Sequence, residues 1–188
     1  LIAKYMEVVG GEYYIGGLVA IHHYRFTEQV PNQFTIYNTK LSGNRCVGEL
    51  SLQFIKISEA RMSGICEVSI PHYDAFIKIS TLARTLLDSV NDWSRYNTLP
   101  IAYEWIKRYS NDSEVMSELI DLISCFGNKS TLRRLGYVLS HYLSKKTLVP
   151  LIKRLKPYHD WVRLDPNGGY QGKTDKTWGI IHNVENLF

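Results

Sequence analysis

The hydrophobic periodicity of this chain turns from strand-like to helical near residue 80, and that change limits the folds open to it. Between residues 34 and 79, apolar and polar residues alternate with period two, the pattern of half-buried strands. Four segments carry it: Phe34–Lys40, Leu50–Ser58, Gly64–Ile70 and Tyr73–Ile79. In the second, Leu50, Leu52 and Phe54 share a face, with Ile55 and Ile57 opposite or past a slip. Leu41–Arg45 (LSGNR) reads as a turn.

Downstream the spacing becomes helical. Ser80–Val90 opens on a Ser cap and places Leu82, Leu86 and Val90 on one stripe. Residues 98–109 carry Pro100 near the first turn and a stripe of Ala102, Trp105, Ile106 and Tyr109. Asn111 and Glu114 resemble a capping box ahead of Val115, Leu119, Leu122 and Phe126. Ser130 is placed to cap a helix with Leu132, Leu135, Leu139 and Tyr142 inward, and Thr147–Lys156 reads as a short helix. Ahead of the strands, residues 1–9 read as the end of a helix stopped by Gly10-Gly11, and a second helix runs from about Gly16 to Phe26. Residues 166–177 are loop-like and Trp178–Val184 reads as a closing strand. The expectation is an α/β fold: a mixed β-sheet of about five strands, four early and one C-terminal, covered by a layer of about five helices.

At 188 residues and 45% hydrophobic content the chain can bury a core without staples. Its three cysteines, Cys46, Cys66 and Cys125, form no CxxC or CxxH, which argues against a zinc site or disulfide framework and suits a reducing cytoplasm. No apolar run is long enough for a membrane span, and the first residues lack the pattern of a signal peptide. The chain begins at Leu1 inside what reads as a helix. Residues 1–12 are therefore expected to be the tail of a linker or preceding domain in a longer protein, and residues 13–188 one domain.

Charge is concentrated in one place. Between Lys129 and Lys156 lie eight basic residues and no acid: Lys129, Arg133, Arg134, Lys145, Lys146, Lys153, Arg154 and Lys156. No Asp or Glu falls between Asp121 and Asp160. The whole chain is +4, from 22 basic and 18 acidic residues; without this block it is net acidic. A basic face on helices can hold phosphates or an acidic partner, or be merely a solvated surface. Phosphate contacts confer affinity that falls with salt but read no bases. Arg133 and Arg134, side by side, can serve either a surface or a salt bridge.

Other chemistries find less support. A restriction-like nuclease needs an acid, then acid-x-Lys, on adjacent strands. Glu67, Asp74 and Lys78 are the candidates, but Phe76 stands where the second acid belongs. His22-His23 are adjacent on a helix and point about 100° apart, with no partner at i+4, so a metal site is not expected. No GxSxG elbow is present, and Gly10-Gly11 and Gly168-Gly169 read as turns, so no cofactor is implied. Thr85 and Asp88 (TLLD) read as a signature surface or as the packed start of a helix, and Trp178 as core.

Three segments taken in order carry a resemblance: Tyr13-Tyr14-Ile15 running into His22–Pro31; Lys78–Asp88 (KISTLARTLLD); and Thr131–Leu139 (TLRRLGYVL). With the closing Gly172-Lys173, Trp178-Gly179-Ile180 and Asn183, they resemble the AbiEi family of antitoxins from type IV toxin–antitoxin (abortive infection, phage defence) operons, over about residues 13–184. Where the family often has a Ser-rich turn, this chain has Gly16-Gly17. The resemblance implies a non-enzymatic C-terminal antitoxin domain. In such regulators an N-terminal winged helix binds and represses the operon's own promoter, and the partner is a nucleotidyltransferase-fold toxin, countered in some members without a stable complex. Twelve residues ahead of Tyr13 cannot form a winged helix, so this chain resembles the C-terminal domain alone. It would assist DNA binding through its basic helices. The alternatives are a metal-dependent nuclease and an orphan DNA-binding transcriptional regulator.

Overall fold

A computed structural model of the chain describes residues 2–70, 75–155, 157 and 159–188. It is mixed α/β and divides into two compact units, Leu1–Thr85 and Leu86–Phe188.

The first unit is built on a six-stranded mixed sheet. Its strands are β1 (Tyr13–Gly16), β2 (Gln33–Asn38), β3 (Gly43–Val47), β4 (Leu50–Lys56), β5 (Ile65–Ser69) and β6 (Phe76–Ser80), in the order β3-β4-β2-β1-β6-β5. Within it β2 runs parallel to β4 and β1 parallel to β6; the other pairs are antiparallel. Period-two alternation sorts the side chains onto two faces. Tyr13, Ile15, Ile36, Leu52 and Phe54 join Met6 of α1 (Ile2–Val8) in one cluster. Tyr14, Tyr37 and Ile57 form another, with Ile55 packed against it. The rings of Tyr14 and Tyr37 stack with centroids 5.0 Å apart. Gly17, at φ 59°, turns the chain from β1 into α2 (Leu18–His23), a backbone angle that costs glycine little.

α3 (Leu82–Asn91) opens in the first unit. Its buried Arg84 donates to the carbonyls of Arg61 (2.7 Å) and Ser63 (2.6 Å) and to the hydroxyl of Tyr14 (2.5 Å). These bonds meet the requirement that a buried cation be satisfied.

The second unit holds α4 (Trp93–Tyr96), α5 (Ala102–Arg108), α6 (Ser113–Phe126), α7 (Lys129–Leu139) and α8 (Val149–Arg154). It also has its own three-stranded sheet of β7 (Val162–Arg163), β8 (Lys173–Asp175) and β9 (Ile180–His182), in the order β7-β9-β8. α7 is the core helix: every residue from Thr131 to Leu139 is buried, and it packs on α6, α8, β7 and β9. Each Leu or Val buried along it contributes about 1.5–3 kcal/mol of apolar transfer.

Several expectations are corrected in detail. The C-terminal strand, β9, pairs with β7 and β8 in the second sheet and does not return to the first. Of the turn expected over Leu41–Arg45, residues 43–45 instead belong, with Cys46 and Val47, to an exposed strand paired to β4. Residues 13–16 form β1, which takes Gly16 from the helix expected over about Gly16 to Phe26, and that helix runs only over Leu18–His23. Caps move by one or two residues. Thr81 rather than Ser80 accepts from the first turn of α3, through Arg84 N at 3.2 Å. Asp112 rather than Asn111 caps α6, accepting from Glu114 and Val115 N at 3.1 Å each. Asn128 rather than Ser130 caps α7, accepting from Thr131 N at 2.8 Å. The first two residues of the strand expected over Tyr73–Ile79 lie outside the described residues.

Candidate functional site

The basic segment runs through α7, a turn and α8, and the structure divides its cations into two groups. Lys129 is exposed on the first turn of α7, Lys145 and Lys146 are exposed in the turn that follows it, and Lys153 and Arg154 are exposed on the last turn of α8. Lys156 lies outside the described residues.

Arg133 and Arg134 go inward, at 5% and 8% exposure, and this corrects the expectation that they belong to an open basic face. Arg133 donates from Nε to Trp178 O (2.8 Å), from Nη2 to Asp160 O (2.7 Å) and to Gly179 O, and from Nη1 to Asp160 Oδ1 (3.1 Å). Arg134 donates from Nε to Arg163 O at 3.0 Å. Burial pulls the Arg134 guanidinium below arginine's ordinary pKa, with neighbouring Tyr103 opposing and Arg133 and Arg163 adding to the shift. Tyr103, buried beside it and donating to Leu164 O at 2.7 Å, is pushed well above its ordinary value by desolvation. Arginine's planar fork of five donors suits it to bind several carbonyls at once.

The close packing of α7 explains the rest of the TLRRLGYVL segment. A Cβ on Gly136 would stand 2.1 Å from the ring of Trp178, which is 3% exposed, so the expected core role of that tryptophan holds. Tyr137 donates or accepts with His182 Nδ1 at 2.8 Å. His182 Nε2 in turn lies 2.7 Å from Val184 O. His141 stacks on Phe188, centroids 3.6 Å apart.

A cleft of about 620 Å³ opens beside the start of α7. Lys129, Ser130 and Leu132 line it from α7, Arg154 and Leu155 from α8 and the residue after it, and His159 and Asp160 from the following loop. Asn128 fixes the start of α7, and its Nδ2 donates to Asn91 Oδ1 at 2.9 Å. The first turn of α7 holds no acidic residue, so its dipole faces the cleft uncompensated. Arg154 is held by two bonds from Nη1 to the carbonyls of Ile123 (2.8 Å) and Ser124 at the end of α6. Sequence reasoning missed Ser130, His159 and Asp160 as neighbours of the basic residues. Asp160 is the first acid after the block, and its pairing with Arg133 across 27 residues has no local signature.

The other candidate residues lie elsewhere. Glu67 and Lys78 stand directly opposite each other on β5 and β6, near Glu12 and Tyr13, while Asp74 lies outside the described residues. Among the described residues, no group of three or more His, Cys, Asp or Glu could hold a metal ion. Thr85 and Asp88 are buried, as the packed-helix reading of TLLD requires. Among the described residues, no helix is long and apolar enough to cross a membrane.

No family model matches the chain, and no curated protein matches it. Among solved structures it is similar to the RV2827C protein from Mycobacterium tuberculosis, with a TM-score of 0.59 and 12% identity. The match covers 90% of this chain and 61% of that one. At such low identity the likeness is one of fold.

Proposed function

We propose that this chain is the antitoxin domain of an AbiEi-like type IV toxin–antitoxin system. In this reading it counteracts a nucleotidyltransferase-fold toxin in the cytoplasm, without catalysis of its own, and assists repression of its operon through the basic surface. The observation that supports the surface role is the set of five exposed cations, Lys129, Lys145, Lys146, Lys153 and Arg154, on a segment free of acids. Such a surface neutralises phosphates without reading sequence, and operator specificity would come from a winged helix outside these residues.

Two measurements test the reading. The first is duplex binding across a salt series, comparing the chain with a variant carrying Lys145→Glu, Lys146→Glu and Lys153→Glu. These positions are exposed, so the variant keeps its fold. Each lost phosphate contact lowers the slope of log affinity against log salt by about 1, so a fall of about 3 is expected. An unchanged slope removes the DNA role. The second is growth of cells expressing a nucleotidyltransferase-fold toxin encoded beside this chain. Co-expression of the chain restores growth if it is the antitoxin, and continued arrest rejects that half of the proposal.

A further inference from the structure

The cleft beside α7 has features that a DNA-facing surface does not need. Its volume, about 620 Å³, lies within the range of small-ligand sites. Its lining is of two kinds: Leu132, Leu155 and Pro157 are apolar, and Lys129, Ser130 and Arg154 bring cations and a hydroxyl. The cations come from different elements and line one opening, and Nη1 of Arg154 donates to the carbonyls of Ile123 and Ser124. Among the described lining residues the acid is Asp160, and it pairs with Arg133 at 3.1 Å.

We infer that this cleft binds a phosphorylated small molecule of nucleotide size, its phosphates against Lys129, Ser130 and Arg154 and its ring against Leu132, Leu155 and Pro157. The inference shares the basic segment with the proposed function but does not depend on the antitoxin reading. A cleft of this kind would let the concentration of a free nucleotide alter the surface that carries Lys129 and Arg154.

The test is calorimetry of the whole chain with ATP, with inorganic tripolyphosphate and with a DNA duplex. The informative variant is Ser130→Glu. An acid in the first turn of a helix favours the dipole, so this substitution retains the fold while repelling an anion in the cleft. Equimolar ATP binding is expected, at least about tenfold weaker in Ser130→Glu. Tripolyphosphate should bind more weakly than ATP, because it leaves the apolar wall unused. Lys145→Glu/Lys146→Glu, outside the cleft, should weaken the duplex and leave ATP unchanged. Absence of ATP binding at millimolar concentration, or equal ATP affinity in a folded Ser130→Glu, overturns the inference. Equal affinity for ATP and tripolyphosphate overturns the nucleotide assignment. If the duplex binds and ATP does not, the surface reading stands and the cleft reading fails.

Discussion

Replacing Arg133 by Ala separates a structural arginine from a ligand-facing one. Its guanidinium satisfies the carbonyls of Trp178, Asp160 and Gly179 and pairs with the Asp160 carboxylate. Truncation removes the donor to Trp178 O and Asp160 O in a site where the arginine itself is 5% exposed, while Gly179 O keeps the N–H of Val162 at 2.9 Å. The Asp160 carboxylate is largely in water, so losing its pairing costs little. An orphaned buried carbonyl costs about 1–3 kcal/mol and a lost bond to a charged donor about 1.5–3 kcal/mol, and since such contributions do not simply add, a loss of about 3 kcal/mol in all is expected. For a chain of this length each kcal/mol shifts the melting temperature by about 2–4 °C, so a fall on the order of 10 °C is expected. Arg133→Lys keeps the charge but not the fork, and should recover only part of the loss. Thermal unfolding followed by far-ultraviolet circular dichroism measures both variants. A melting temperature for Arg133→Ala within about 2 °C of the parent, which corresponds to under about 1 kcal/mol, would refute the reasoning and return Arg133 to the surface.

Gly136→Ala sets the helix propensity of alanine, worth about 1 kcal/mol, against a Cβ 2.1 Å from the Trp178 ring. Overpacking of about 1–3 kcal/mol or more should win, seen as net destabilisation in denaturant titration; a stabilised variant would show that the ring moves freely. His141 is held below the ordinary histidine pKa, first by burial and then by His182, with Asp175 opposing. Because its folded pKa is depressed, the unfolded chain takes up the proton first. The corresponding stability is present above the unfolded value of about 6.5 and is lost as pH falls through the folded value. His141→Phe, which can keep the stack on Phe188, should flatten the pH dependence of unfolding below that value, and an unaltered profile would assign the dependence to another group.

What the sequence revealed depended on whether the relevant pattern was local. The alternation in β2 and β4 was legible, and Ile55 and Ile57 do lie on the face opposite Leu52 and Phe54. β1 was not, because all four of its residues are buried and a strand covered on both faces shows no alternation. β3 was hidden for the opposite reason: all five residues are exposed, and Val47 at its end is its one large apolar residue, so its pairing with β4 leaves no alternating apolar signature. The starts of α2, α3, α6, α7 and α8 were placed within two residues, the usual ambiguity where Asn, Asp, Ser and Thr cluster and several side chains can reach the same N–H, whereas α5, expected from residue 98, begins at Ala102. The second sheet was partly missed because β7 and β8 are two and three residues long, too short for any period.

The basic segment shows where charge counting fails. A run of cations without acids reads as a surface because charges are costly to bury unless paired and hydrogen-bonded. The partners that allow Arg133 and Arg134 inside are mostly main-chain carbonyls at Asp160, Arg163, Trp178 and Gly179, and carbonyls carry no sequence signal. The lysines obey the simple rule: Lys129, Lys145, Lys146 and Lys153 are all exposed. An ammonium is a compact, strongly hydrated charge, whereas a guanidinium can bridge several acceptors at lower desolvation cost. α7 thus combines a buried body that ties the C-terminal sheet together with a first turn that opens on a cleft. Loss of binding on changing Arg133 or Arg134 would therefore report unfolding as readily as lost contact. Lys129, Ser130 and the exposed lysines are the positions at which function can be separated from stability.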